Sequence, residues 1–349
     1  MFYVGLGLIL GLGLAACNLP ASGQPTAIPQ PEITATDLQL PTDTPAPSPT
    51  PQPGRVVLLA PAGADPLQVE LIQAKLAELS GLEGLQFETV SDMAASEIGD
   101  EIRLVVVLPP DPGVAALASA NPETQFLAVA IPGLQTSRNL NTLGSAGDRP
   151  DQEGFLAGYL AAVVTQDWRV GVISSSDTVA GKAARLGFTN GTTFYCGLCR
   201  PAYPPFLQYP VFVELPLGAS PEDAQAAADT LIANGVKTAY VLPDIGGEAL
   251  LEYLAQKEIN LIGRATPPTQ LQSRWVATVR TDLASALEQI WPELMNGEGG
   301  INLDVPLVIT DRNAALFSPG RQSLVEKLLA DLLAGYIDTG VNPQTGEPR

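Results

Sequence analysis

From Arg55 onward, short apolar runs alternate with stretches whose apolar residues recur at helical spacing. The run RVVLLAP (55–61) is nearly all apolar, as a strand buried on both faces of a parallel sheet requires. Leu67, Leu71, Ile72, Leu76 and Leu79 then predict a helix over 65–80. Strands follow at 85–90, 104–110 and 124–131, with a helix over 112–120. A stretch of Gly, Ser and Asn to about 150 reads as loop. The helix 154–165 (GFLAGYLAAVVT) is apolar nearly all round and rich in small residues, which predicts burial against close neighbours.

The alternation restarts with a core strand over 168–176, a helix over 178–194 and a strand over 209–217. Ser220-Pro221-Glu222-Asp223 is a helix start: an N-capping hydroxyl, a proline at the first position and an acid at the third. That helix stops at Asn234-Gly235. A strand–helix–strand unit spans 237–243, 247–257 and 259–265. The last elements are a strand at 275–281, a helix at 282–296 interrupted by Pro292, a strand at 303–311 and an amphipathic helix at 321–336. Repeated βαβ units imply parallel sheets with right-handed crossovers. The pattern predicts an α/β protein of two doubly wound parallel-sheet lobes, with a hinge and an interlobe cleft at the carboxyl ends of the strands. The expected division is 55–166 with 275–300 for lobe 1, and 167–274 with 301–349 for lobe 2.

The first 54 residues are different. Residues 4–16 form an apolar run too short for a confident membrane span and of the right length for a signal-peptide core. It ends in Leu14-Ala15-Ala16-Cys17, which resembles the lipobox of bacterial lipoproteins, although no Lys or Arg precedes the cysteine. The expectation is a signal peptide over 1–17, lipidation of Cys17, and a location on the extracytoplasmic face of the cell membrane. Residues 18–54 are rich in Pro and Thr, with no basic residue, and cannot form a core. As an extended linker they would reach on the order of 100 Å.

Composition narrows the chemistry. The 349 residues carry a net charge of −19 and contain no histidine. The acidity argues against nucleic acid as a partner of the folded part. The missing histidine removes the commonest general base and metal ligand, and with them any Ser-His-Asp triad or Cys-His dyad. No nucleophile–base pair and no metal-spaced cluster stands out, so the expectation is a binding protein with no cofactor, not an enzyme.

Several segments resemble the basic membrane lipoprotein family, the substrate-binding proteins of nucleoside-type ABC importers. Gln152-Glu153-Gly154-Phe155-Leu156-Ala157-Gly158 and the alanines after it are similar to a helix of that family. So are Ala239–Pro243 through Gly246-Gly247 to Leu261-Ile262-Gly263, the return segment Val276–Asp282 with Gly297-Glu298-Gly299-Gly300, and the closing Leu333–Ile337. The resemblance implies a type I periplasmic-binding fold, a small solute between the lobes and an ABC permease as partner. Its nucleoside chemistry is mostly not matched. The first loop, Pro61–Pro66, has no aromatic residue, and Arg264-Ala265 stands where the family carries a ribose-binding carboxylate. Arg280 matches the basic position of the return strand.

These features give the candidate ligand-binding residues. Arg264 and Arg280 suit an anion, or else surface ion pairs. Together they would give the cleft a positive local field, favouring an anionic or strongly hydrogen-bonding solute over a standard purine nucleoside. Gly246 and Gly247 open a helix, where free N–H groups bind anions or merely close a turn. Asp65 and Asp244 sit at strand ends, where they serve ligand hydroxyls or cap helices. Cys196 and Cys199 resemble a redox box, but their place after a helix favours a structural disulfide. The leading expectation is solute capture for an ABC importer. The alternative is a ligand-sensing lipoprotein that signals to a membrane partner without transport.

Overall fold

The computed structural model describes residues 54–204 and 206–349; the expected signal peptide, Cys17 and nearly all of the expected linker lie outside the described residues. The chain begins with β1 (Arg55–Leu59), α1 (Pro66–Leu82), β2 (Gln86–Val90), β3 (Ile102–Val107), α2 (Val114–Ala120), β4 (Gln125–Val129) and β5 (Leu140–Leu143). It then crosses to a second lobe: α3 (Pro150–Val164), β6 (Val170–Ser175), α4 (Val179–Cys196), β7 (Val211–Leu215), α5 (Pro221–Ala233), β8 (Thr238–Val241), α6 (Gly247–Gln256), β9 (Asn260–Gly263) and β10 (Trp275–Thr281). It returns to the first lobe for α7 (Leu283–Met295) and β11 (Asn302–Leu303), and ends in the second with β12 (Leu307–Thr310) and α8 (Pro319–Leu333).

Each lobe is built on a six-stranded sheet. The first has the order β11-β5-β4-β3-β1-β2 and is parallel throughout. The second has the order β12-β10-β9-β8-β6-β7 and is parallel except for β12 against β10. Apolar side chains pack on both faces of each sheet, which is why the central strands read as unbroken hydrophobic runs.

The expected division of the lobes is corrected at both boundaries. The first crossing lies between β5 and α3, not near residue 166, because α3 packs on α4, α8 and the second sheet. The strand 275–281 does not return to lobe 1. It pairs with β9 and β12, and the return begins at α7, which packs on α1 and β3. The expected strand 303–311 is two strands in different lobes, with Pro306 between them.

The helix α3 shows what its small residues do. Gly154 and Gly158 lie against the backbone of Ala184 and Phe188 in α4, and Gly187 and Gly191 lie against Asp151 and Phe155 in α3. A Cβ at any of the four would overlap the facing carbonyl oxygen. Two helices therefore approach backbone to backbone, and this fixes the first turn of α3, which carries Glu153.

Candidate functional site

The carboxyl ends of the strands in both lobes converge on one group of charged side chains. Lobe 1 supplies Asp65, held by capping α1: its Oδ1 accepts from the Leu67 N–H at 2.9 Å, with Pro66 following. The connection into lobe 2 supplies Asp148, whose Oδ1 accepts from Gln68 Nε2 of α1 at 2.7 Å. Lobe 2 supplies Glu153 from the first turn of α3, Tyr240 from β8, Asp244 from the loop after β8, and Arg264 directly after β9. Arg264 is the connecting piece. Its Nε lies 2.6 Å from Glu153 Oε2, and its Nη1 lies 3.5 Å from Asp65 Oδ2 in the other lobe.

Depth within the group is graded. The Glu153 side chain is 4% exposed and Arg264 18%. Tyr240 is fully buried, its ring stacked on Phe188, and its hydroxyl has no hydrogen-bond partner among the described residues. Asp148 and Asp244 stand exposed at the rim. Burial dominates the electrostatics: it pushes the Glu153 carboxyl up to about 7, against the pull of Arg264 and with help from Asp148 and Asp65. Burial by the surrounding walls likewise raises Asp148 and Asp244, although both keep exposed surface at the rim. Desolvation opposes the charge on Arg264, but Glu153, Tyr240, Asp65 and Asp148 outweigh it, so the guanidinium is held above its ordinary value.

This overturns the expected positive cleft. Arg264 is the one cation among the charges acting on Asp148, Glu153 and Asp244, and it is outnumbered by acids. Arg280 stands on β10 opposite Val308 of β12 and forms no ion pair among the described residues. The structure thus gathers Asp65, Asp244 and Arg264 and leaves Arg280 outside the group. Gly246 is the N-cap of α6 and adopts a left-handed conformation, as does Gly247. A side chain at Gly246 would also collide with Leu250, so backbone conformation and packing together account for that glycine. Gly247 lines a cavity of about 200 Å³ with Arg264, Ile245, Pro268 and Trp275. Gly263 makes room there for the Trp275 ring.

Sequence reasoning passed over Glu153, Asp148 and Tyr240 as ligand candidates. Glu153 lies beside Asp151 and Gln152 in the first turn of α3, where an acid is ordinary, and Tyr240 lies within an apolar strand, so neither stands out in the sequence. A larger cavity, about 490 Å³, lies among the three lobe-connecting segments and is lined by Gly144, Asp148, Arg149, Thr281, Asp304 and Pro306, among others. Among the described residues no group of His, Cys, Asp or Glu is arranged to hold a metal ion.

Cys196 and Cys199 are joined in a disulfide at the C-terminal end of α4. Cys199 is buried, and its carbonyl accepts from the Tyr209 N–H, so the bond anchors the loop 200–210. The helix presents its C-terminus to the pair, not the N-terminus that would activate a thiolate.

The sequence matches no family model, and no curated protein matches it. Solved structures do match in fold. An ABC transporter solute-binding protein from Conexibacter woesei superposes with a TM-score of 0.61 at 16% identity, over 82% of this chain and 98% of that one. One from Aeropyrum pernix superposes with a TM-score of 0.58 at 12% identity, over 82% and 93%. A transcriptional activator of the comK gene from Bacillus halodurans gives 0.54 at 14% identity, over 84% and 99%. The chain has the two-lobed α/β fold of the type I periplasmic-binding class.

Proposed function

We propose that this chain is a lipid-anchored, extracytoplasmic solute-binding protein that captures a small polar solute between its lobes for an ABC importer. The observation that carries the reading is the contact of Arg264 in lobe 2 with Asp65 in lobe 1, at the carboxyl ends of strands where α/β proteins bind ligands. Three chain crossings join the lobes, so a solute contacting both would bias their separation. The solute-binding proteins that share the fold support the reading. The transcriptional activator with the same fold keeps a sensing role as the second reading. The apolar run ending at Cys17 and the Pro/Thr-rich linker support the anchor.

The test is an interlobe distance measured by spin labels at Leu82→Cys on α1 and Leu324→Cys on α8, both exposed sites. A saturable change in that distance on adding a solute is expected; a distance that no solute moves contradicts solute capture.

A further inference from the structure

We propose that the cleft selects an organic cation, a solute bearing an ammonium or guanidinium group held by Asp65, Asp148 and Asp244, with Tyr240 offering its hydroxyl from the floor. The inference rests on the solute-binding reading and specifies its ligand class. Three observations carry it.

The first is charge. Four carboxylates from both lobes surround a single guanidinium, so negative charge exceeds positive even with Glu153 neutral. An anionic solute would meet repulsion from Asp65, Asp148 and Asp244 before reaching Arg264, which Glu153 and Asp65 already engage. The second is independent of charge. The Tyr240 hydroxyl is fully buried and unpartnered among the described residues, and it lies within electrostatic reach of Glu153, Arg264 and Asp244. A buried hydroxyl is normally paired, so one left open toward the cluster is matched to a ligand polar group. The third is placement. Asp148 and Asp244 are exposed while the Glu153 side chain is only 4% exposed, so the acids run from the surface to a buried end. They come from separate elements and do not converge as a metal site requires. Acceptors supplied by separate elements suit the several N–H donors of an ammonium or guanidinium.

Isothermal titration of the full chain tests this with putrescine, spermidine, L-arginine and L-lysine as cations, inosine and glucose as neutral probes, and succinate and phosphate as anions. Saturable one-to-one binding of at least one cation is expected, weakened about tenfold to a hundredfold by Asp65→Asn or Asp148→Asn, the worth of one charge-assisted hydrogen bond. Asn still caps α1, so Asp65→Asn keeps the fold. The exposed Glu298→Gln serves as control for attraction to an acidic surface and should leave affinity unchanged. One-to-one binding of a neutral or anionic probe with no cation bound overturns the cation inference and leaves solute capture standing. Cation binding that neither Asp65→Asn nor Asp148→Asn weakens, or that Glu298→Gln weakens as much as they do, is surface attraction and also overturns it. No binding of any probe overturns both.

Discussion

Arg264 Nε lies 2.6 Å from Glu153 Oε2, so the guanidinium is the ion-pair partner of a carboxylate whose side chain is only 4% exposed. Arg264→Ala therefore strands a buried carboxylate. Breaking such a pair from one side costs about 3–5 kcal/mol when the remaining group stays charged. Glu153 can instead take up a proton, so the loss should be large at pH 8 and clearly smaller at pH 5. Urea denaturation of wild type and variant at the two pH values measures it. An equal loss at both would show that Arg264 acts by packing alone.

Glu153 also gives wild-type stability a pH dependence. Its folded value of about 7 lies above the ordinary 4.5. Below pH 4.5 both folded and unfolded chains hold the proton. Between 4.5 and 7 the unfolded chain releases it while the folded chain keeps it, so stability falls as pH rises through that window and levels off above 7. The full effect is about 3 kcal/mol. Asp148 and Asp244, also raised, act in the same direction, whereas the lowered Asp338 acts only in more acid solution. Glu153→Gln should flatten most of the slope between pH 5 and 7; a slope unchanged in that variant would place its origin elsewhere.

The close approach of α3 and α4 makes a sharper mechanical prediction. Gly158→Ala or Gly191→Ala puts a methyl group into a facing backbone carbonyl, which cannot yield as a side chain would. Overpacking of this kind costs about 1–3 kcal/mol, and a rigid backbone contact belongs at the upper end. Gly320→Ala, where nothing lies nearby, is the control. Thermal unfolding of the three proteins should show two large drops and one small change.

Changing both Cys196 and Cys199 to Ser should lower stability only modestly, because the closed loop is very short. The loop 200–210 should become more accessible to proteolysis, with solute affinity retained, since the bond anchors that loop through Cys199 and Tyr209. Loss of solute binding in the double variant would connect this end of α4 to the cleft.

The proposed anchor at Cys17 is checked by the intact mass of membrane-extracted protein. The expected mass begins at Cys17 and includes its lipid; a soluble wild-type protein that retains residues 1–16 contradicts the anchor.

The alternation of strands and helices was legible because most strands are buried on both faces and read as hydrophobic runs. β5 was not, since Asn141 and Thr142 are buried there as polar residues: Asn141 bonds Gln125 and the Phe126 carbonyl, and Thr142 bonds Asn302. Periodicity cannot register a strand whose interior is hydrogen-bonded. The lobe to which β10 belongs was equally hidden, because a strand's pattern shows its burial and not its neighbours. In the cleft, Arg264, Asp65 and Asp244 were visible as polar residues at strand ends. Their mutual charge balance was not, because Glu153 and Asp148 come from a distant part of the chain.

Capture of a small polar solute between the two lobes is measured by a thermal-shift titration of the full chain. Amines, sugars, nucleosides, carboxylates and phosphorylated compounds should each be titrated against wild type and Asp65→Asn. A ligand at one hundred times its dissociation constant stabilises the folded state by about 2.7 kcal/mol. The account predicts a saturable rise in melting temperature with at least one solute, diminished in Asp65→Asn. A melting temperature that no solute class raises, or one raised equally in both proteins, would contradict it.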